Sequence, residues 1–155
     1  MANSASVEHA SDVVVIDVLP QHRFDEAPLW RYLEQHLPDF TGPATLRQFQ
    51  GGQSNPTFLI QTPARKYVLR KKPPGKLLPS AHLVEREYRI LKALPADQVP
   101  LPRARVLCED SSIIGTAFYV MDHVEGRVIT GASLPQLSPA DRGAVYADFA
   151  RVAAA

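Results

Sequence analysis

The chain has 155 residues, 45% of them hydrophobic and 21% charged, with a formal net charge of +1. That length suffices for one domain with a real core. The near-neutral balance supplies no field to gather nucleic acid or an acidic membrane surface, which excludes a generic polyanion binder.

A single cysteine, Cys108, excludes an internal disulfide framework and points to a reducing compartment. No apolar run approaches the length of a membrane span, and the opening MANSASVEHASD has neither a basic n-region nor a long apolar h-region. A cytoplasmic location is therefore the expectation.

Residues up to about Gln21 read as a tail, with a short extended piece at Val13–Val18. Phe24 to Leu37 reads as a helix, because Leu29, Trp30, Leu33 and Leu37 recur at helical spacing and Pro38 stops the pattern. Strand-like runs follow at Thr45–Gln50, Thr57–Thr62 and Lys66–Lys72, the last ended by Pro73-Pro74-Gly75. The first two are joined by GGQSNPT, Gly51 to Thr57, a loop longer and barer than a hairpin needs. Ser80 to Leu94 is helical and bounded by Pro79 and Pro95. Two more strands are expected at Arg105–Glu109 and Phe118–Asp122, around the turn DSSIIG. Antiparallel strands with an inserted helix give an α+β pattern rather than a doubly wound sheet.

Ser138-Pro139-Ala140-Asp141 is a helix start, with Ser138 as N-cap, Pro139 in the first turn and Asp141 as the acidic capping partner. The following stripe of Val145, Phe149 and Val152 runs to Ala155 without a C-cap, which reads as a truncated chain whose next domain is absent.

The helix over Ser80–Leu94 carries a charge on its apolar side. Leu83, Val84, Ile90, Leu91 and Leu94 gather on one side and Glu85, Arg86, Arg89 and Lys92 on the other, with Glu87 falling amid the apolar set. A buried lone carboxylate is costly unless a cation meets it. The preceding strand, YVLRKK, offers Arg70 and Lys72 on the same face as Val68. Alternatively, Glu87 lies at the edge of the stripe and is solvated or paired with Arg86 or Arg89.

A bare glycine loop, a strand cation and a helix carboxylate in that order form the upper half of a kinase phosphate site. With GGQSNPTFLI, YVLRKKPPGKLLPSAHLVEREYRILKAL, VPLPRARVLCED and IIGTAFYVMDHVEGRV, the chain resembles the aminoglycoside-phosphotransferase-like (choline-kinase-like) small-molecule kinases over Gly51 to Val128. The closest branch is the kinase-like domain found alone in bacteria or fused ahead of an acyl-CoA dehydrogenase in animals.

The resemblance implies a protein-kinase-like N-lobe: a five-stranded antiparallel sheet, one packed helix and an N-terminal helix. Residues 1–21 would form a tail, 22–125 the ATP-binding lobe, and 126–155 a linker with the start of a C-lobe. Gly51, Gly52, Gln53, Ser54 and Asn55 would cover the nucleotide, with Ser54 and Asn55 donating to phosphate oxygens. Arg70, with Lys72 in reserve, would be the phosphate cation, held by Glu87. Val68 would cover the adenine and Met121 would line the pocket behind it. The Asp122 carbonyl and the Val124 N–H would read the adenine edge.

Asp122, His123 and Glu125 could suggest a metal site, but adjacent residues on a strand point opposite ways, which argues against one there. The resemblance also implies a magnesium ion whose ligands, like the catalytic H-G-D-x-x-x-x-N stretch, belong to the C-lobe. Neither that stretch nor a later Asp suited to the metal is found in these 155 residues; Asp141-Arg142-Gly143 reads as capping. The expected activity is transfer of the ATP γ-phosphoryl to a hydroxyl of a small molecule by the intact protein, a hydroxyacyl-CoA-type metabolite sooner than an aminoglycoside. The fragment itself is expected to be inactive. The alternatives are a non-catalytic nucleotide-binding module docking to a dehydrogenase, and an interaction domain in which Arg70–Glu87 is only structural.

Overall fold

A computed structural model describes residues 14–50, 55–73, 83–95, 97–126, 133–135 and 137–154. Gly51, Gly52, Gln53 and Ser54, and the helix start expected at Ser80, lie outside the described residues. The elements are β1 (Val15–Ile16), a 3₁₀ turn (Pro20–His22), α1 (Glu26–His36), β2 (Thr45–Phe49), β3 (Thr57–Gln61), β4 (Lys66–Lys71), α2 (Val84–Ala93), β5 (Ala104–Cys108), β6 (Phe118–Asp122) and α3 (Pro139–Ala153).

Every pairing is antiparallel, in the order β1-β2-β3-β4-β6-β5. The sheet therefore has six strands, not the five expected. The added strand comes from the segment read as a tail: Val15 pairs with Phe49 and Ile16 with Gln48. Two residues in a continuous apolar run carry no alternation to announce a strand.

Alternation gives the sheet two working faces. Phe58, Ile60, Tyr67, Leu69, Phe118 and Val120 point to one face, where they form the main core with Leu29, Leu33 and Leu37 of the α1 segment. Fully burying such a side chain contributes about 1.5–3 kcal/mol. At the start of α1 the Asp25 carboxylate accepts from the Ala27 N–H at 3.1 Å, and Pro28 sits in the first turn, where no intrahelical donor is needed. Tyr32, packed beside the same core, donates to the Leu107 carbonyl at 3.3 Å and fastens the helix to β5.

The opposite face carries α2. Val84 is fully buried against Ala117 and Tyr119, with Tyr88 and Leu91 packed beside it. Ile90 and Leu94, expected on the buried side, are 47% and 39% exposed. The reason is the width of the stripe: the helix buries a narrow arc centred on Val84, Tyr88 and Leu91, and Ile90 and Leu94 fall beyond its edge. Glu87 consequently stands at the flank of the apolar arc rather than in its middle. Glu85, expected on the polar side, stands at the other flank and turns inward.

The start of α3 follows its sequence. Ser138 Oγ accepts from the Asp141 N–H at 3.2 Å and donates to the Asp141 carboxylate at 2.7 Å. None of the residues of α3 is buried, and Phe149 is 71% exposed.

Candidate functional site

The sheet register brings the charged groups together. Arg70 in β4 stands opposite Thr57 in β3 on one side and Tyr119 in β6 on the other. Side chains paired this way share a face at roughly 5 Å spacing, and this face looks towards α2. Arg70 and Glu87 meet as expected: Arg70 Nη2 donates to Glu87 Oε1 at 3.4 Å, and Nε lies 3.2 Å from Oε2 without the alignment of a hydrogen bond. The two side chains are 33% and 35% exposed, so the pair is partly open to solvent instead of lying in the core. The Arg70 Nη1 makes no hydrogen bond among the described residues.

Lys72, the reserve cation, is committed elsewhere. Its ammonium hydrogen-bonds the Glu85 carboxylate. Burial pushes the Glu85 carboxyl upward, but the Lys72 hydrogen bond and charge outweigh it and hold the group below its usual range.

Asn55 is 4% exposed and donates through Nδ2 to Glu87 Oε1 at 3.0 Å. This turns Asn55 inward to the carboxylate, where the resemblance implied a donor to phosphate. Tyr119 donates to Glu87 Oε2 at 3.0 Å. Burial first, and then the neighbouring Glu87 charge, push the Tyr119 hydroxyl above the usual tyrosine range, so it remains a proton donor at any physiological pH. Sequence reading missed Tyr119. The signal was available in the alternation of FYVMD, which places Tyr119 on the same face as Met121.

Along β4 from Arg70, on the same face, an open cleft of about 830 Å³ begins at Val68. Leu59, Val68 and Met121 form its sheet wall, Pro100 to Pro102 a second wall, and Asp122 to Gly126 its rim. Val68 and Met121 thus both line the cleft, together with Leu59, which the sequence reading did not name. Phe49 also lines the cleft, with its ring parallel to that of His123, centroids 6.4 Å apart.

The rim combines bonded and open backbone N–H groups. The Asp122 N–H donates to the Arg103 carbonyl at 2.9 Å and the His123 N–H to the Lys66 carbonyl at 3.3 Å. The Val124 N–H makes no hydrogen bond among the described residues, and Val124 is 64% exposed. The Asp122 carboxylate faces Arg105 at 3.7 Å, and Glu125 pairs with Lys66 at 3.2 Å. No group of three or more His, Cys, Asp or Glu placed to hold a metal ion occurs among the described residues.

The site therefore joins an apolar slot with an available N–H at its rim to a fixed guanidinium one step along the same strand. A flat heteroaromatic ring fits the first part and an anion the second.

Comparison with known proteins agrees with this geometry. Over 135 residues the chain is 50% identical to acyl-CoA dehydrogenase family member 11 of Rattus norvegicus, a match covering 84% of this chain and 17% of that protein. It is 57% identical over 106 residues to acyl-CoA dehydrogenase family member 10 of Mus musculus, covering 68% of this chain and 10% of that one. The chain thus spans less than a fifth of these relatives. A crystal structure from Ralstonia eutropha, named for the aminoglycoside phosphotransferases, superposes with a TM-score of 0.67 at 45% identity, covering 84% of this chain and 37% of that one. The α+β fold is accordingly that of a kinase-like phosphotransferase lobe. Residues 45–155 match the model of the phosphotransferase enzyme family, and the chain belongs to that family.

Proposed function

We propose that the chain is the nucleotide-binding lobe of an enzyme that transfers the ATP γ-phosphoryl to a hydroxyl of a small molecule. The observation that carries this reading is the continuity along β4 of an apolar slot at Val68 with a guanidinium at Arg70 held by Glu87. Leu59, Val68 and Met121 would shield the adenine from water, and the Val124 N–H would donate to its edge. Arg70 would neutralise phosphate oxygens. Because a guanidinium does not release its proton at physiological pH, its contribution is static charge and geometry, not acid–base chemistry. Glu87 would orient Arg70.

The residues described fit a nucleotide but not a magnesium site of their own, since Glu87 is occupied by three donors and Asp122 by Arg105. Magnesium ligands are expected in sequence outside this lobe. The acyl-CoA dehydrogenase names of the curated relatives support a hydroxyacyl-CoA-type acceptor, which we put ahead of the aminoglycoside in the Ralstonia protein's name. No described helix is long and apolar enough to cross a membrane; a cytoplasmic enzyme is part of the proposal.

The matched segment forms only a small share of proteins named as dehydrogenases, which favours one further reading: a nucleotide-binding module docked to a dehydrogenase without turnover of its own. Calorimetric titration of the full-length protein with ATP, followed by labelled-phosphoryl transfer to a panel of hydroxyacyl-CoAs and other small alcohols, separates the two. Binding with transfer supports the enzyme, binding without transfer to any acceptor supports the module, and no binding defeats both.

A further inference from the structure

Glu87 has more partners than pairing with Arg70 requires. Its Oε1 accepts from Asn55 Nδ2 at 3.0 Å and Arg70 Nη2 at 3.4 Å, while its Oε2 accepts from Tyr119 at 3.0 Å and faces Arg70 Nε at 3.2 Å. Each carboxylate oxygen thus meets one guanidinium nitrogen and one neutral donor. Asn55 and Tyr119 are 4% and 2% exposed, whereas the ion pair between them is about a third exposed. An ion pair that open to solvent fixes little by itself. Hydrogen bonds from buried neutral groups to a charged acceptor are the stronger constraint.

The two donors also tie separate pieces of the molecule to one atom group. Tyr119 stands opposite Arg70 in the register, and its ring rests against Tyr88 of α2 with centroids 6.1 Å apart. Asn55 stands two residues before β3. Displacing α2 would break the Tyr119, Asn55 and Arg70 contacts together.

We infer that Asn55 and Tyr119 are positioning residues for the nucleotide phosphates: they hold the Glu87 carboxylate, and with it α2, where Arg70 is presented before nucleotide arrives. Asn55 further ties the chain entering β3 to the helix through the Glu87 carboxylate. The inference rests on the nucleotide reading above, and its test separates the two.

In the full-length protein, affinities for ATP and for adenosine are measured by competition against a fluorescent ATP analogue, with thermal melts for each variant. Tyr119→Phe keeps the ring packing and removes the hydroxyl. It is expected to weaken ATP about 5- to 10-fold while leaving adenosine within about twofold. Asn55→Asp is nearly isosteric and sets a second carboxylate against Glu87, so it should weaken ATP more than Asn55→Ala does. In a Glu87→Ala background, Tyr119→Phe should add less than about twofold. Unchanged ATP affinity in Tyr119→Phe, or equal losses for ATP and adenosine, would overturn the positioning role. Wild-type protein that binds neither compound overturns the nucleotide reading itself, and with it this inference.

Discussion

Lys72 closes on Glu85 as Arg70 closes on Glu87, and the two ion pairs run side by side between β4 and α2. Lys72 directly follows β4, two residues beyond Arg70, and the two carboxylates they meet stand on opposite flanks of α2. The pairs differ in depth. Lys72 and Glu85 side chains are 23% and 16% exposed, against 33% and 35% for the outer pair.

That difference predicts a division of labour. Lys72→Ala leaves a largely buried carboxylate unpaired and should cost about 1–3 kcal/mol of stability, with ATP affinity nearly unchanged. Arg70→Ala removes a more exposed partner and should cost under about 1 kcal/mol, but weaken ATP by roughly tenfold or more, as expected for loss of a charge-assisted contact. Denaturant melts combined with nucleotide titration check both. A Lys72→Ala protein of normal stability that has lost ATP binding would reverse the assignment.

Turnover should show Arg70 and Glu87 acting as a unit. In the full-length protein, Arg70→Ala and Glu87→Ala should each lower ATP-dependent transfer, and the double variant should lose little more than either one. A double-mutant cycle on kcat/KM is the measurement. Fully additive losses would mean the two residues work independently.

Acid should weaken the docking of α2. The Glu85 carboxyl is raised by burial but held, on balance, below its ordinary value of 4.5 by Lys72, and Asp39 is likewise held below its ordinary 3.8, chiefly by Arg105 acting against burial. A depressed folded value means that the unfolded chain takes the proton first. The stability from each group is therefore fully present above its ordinary value and lost as pH falls through the folded one. Thermal melts between pH 6 and pH 3 should show Tm dropping below about pH 4.5. Glu85→Gln should start lower and fall less steeply over that range.

Much of this arrangement was legible in the sequence, for physical reasons that also set the limit. The strands at Thr45, Thr57, Lys66 and Phe118 announce themselves by short runs of strand-favouring residues between turn residues, and the cap at Ser138 by its own chemistry. Arg70 and Glu87 could be paired because an awkward carboxylate needs a cation. Strand neighbours are harder to read: Tyr119 reaches Glu87 only through the pairing of β4 with β6, a register set by contacts across the whole sheet. The inward turn of Glu85 and the exposure of Ile90 and Leu94 depend on which arc α2 buries, and periodicity alone allowed an arc that was too wide.

Lys71 offers a test on the other face. It is 4% exposed, packs its ammonium over the Phe24 ring at 4.8 Å, and burial lowers its pKa below the ordinary 10.5. The cost of holding that charge is present at neutral pH and disappears as pH rises through the folded value towards 10.5. Lys71→Met keeps the stem packing and removes the charge, so it should stabilise the fold by about 0.5–1 kcal/mol at pH 7. Chemical denaturation at pH 7 measures it. A clear loss would show that the contact with Phe24 outweighs desolvation.

The two residues of β1 close off one margin of the sheet. With Val15 and Ile16 paired to Phe49 and Gln48, the Val14 carbonyl accepting from the Gln50 N–H at 2.9 Å, and the Gln48 side chain accepting from the Leu19 N–H at 3.1 Å, β2 is not left as a bare outer strand. The opposite margin, β5, is bent by the irregular register between Ala104 and Val106 and preceded by Pro100 and Pro102, both of which discourage another strand from adding on. Removing the residues before Pro20 would present β2 as a template, and would also take Val15 from the lining of the cleft and Val18 from the margin of the core. The consequence of so small a strand is thus colloidal as well as local: a lobe without it should be more prone to zip onto the next copy.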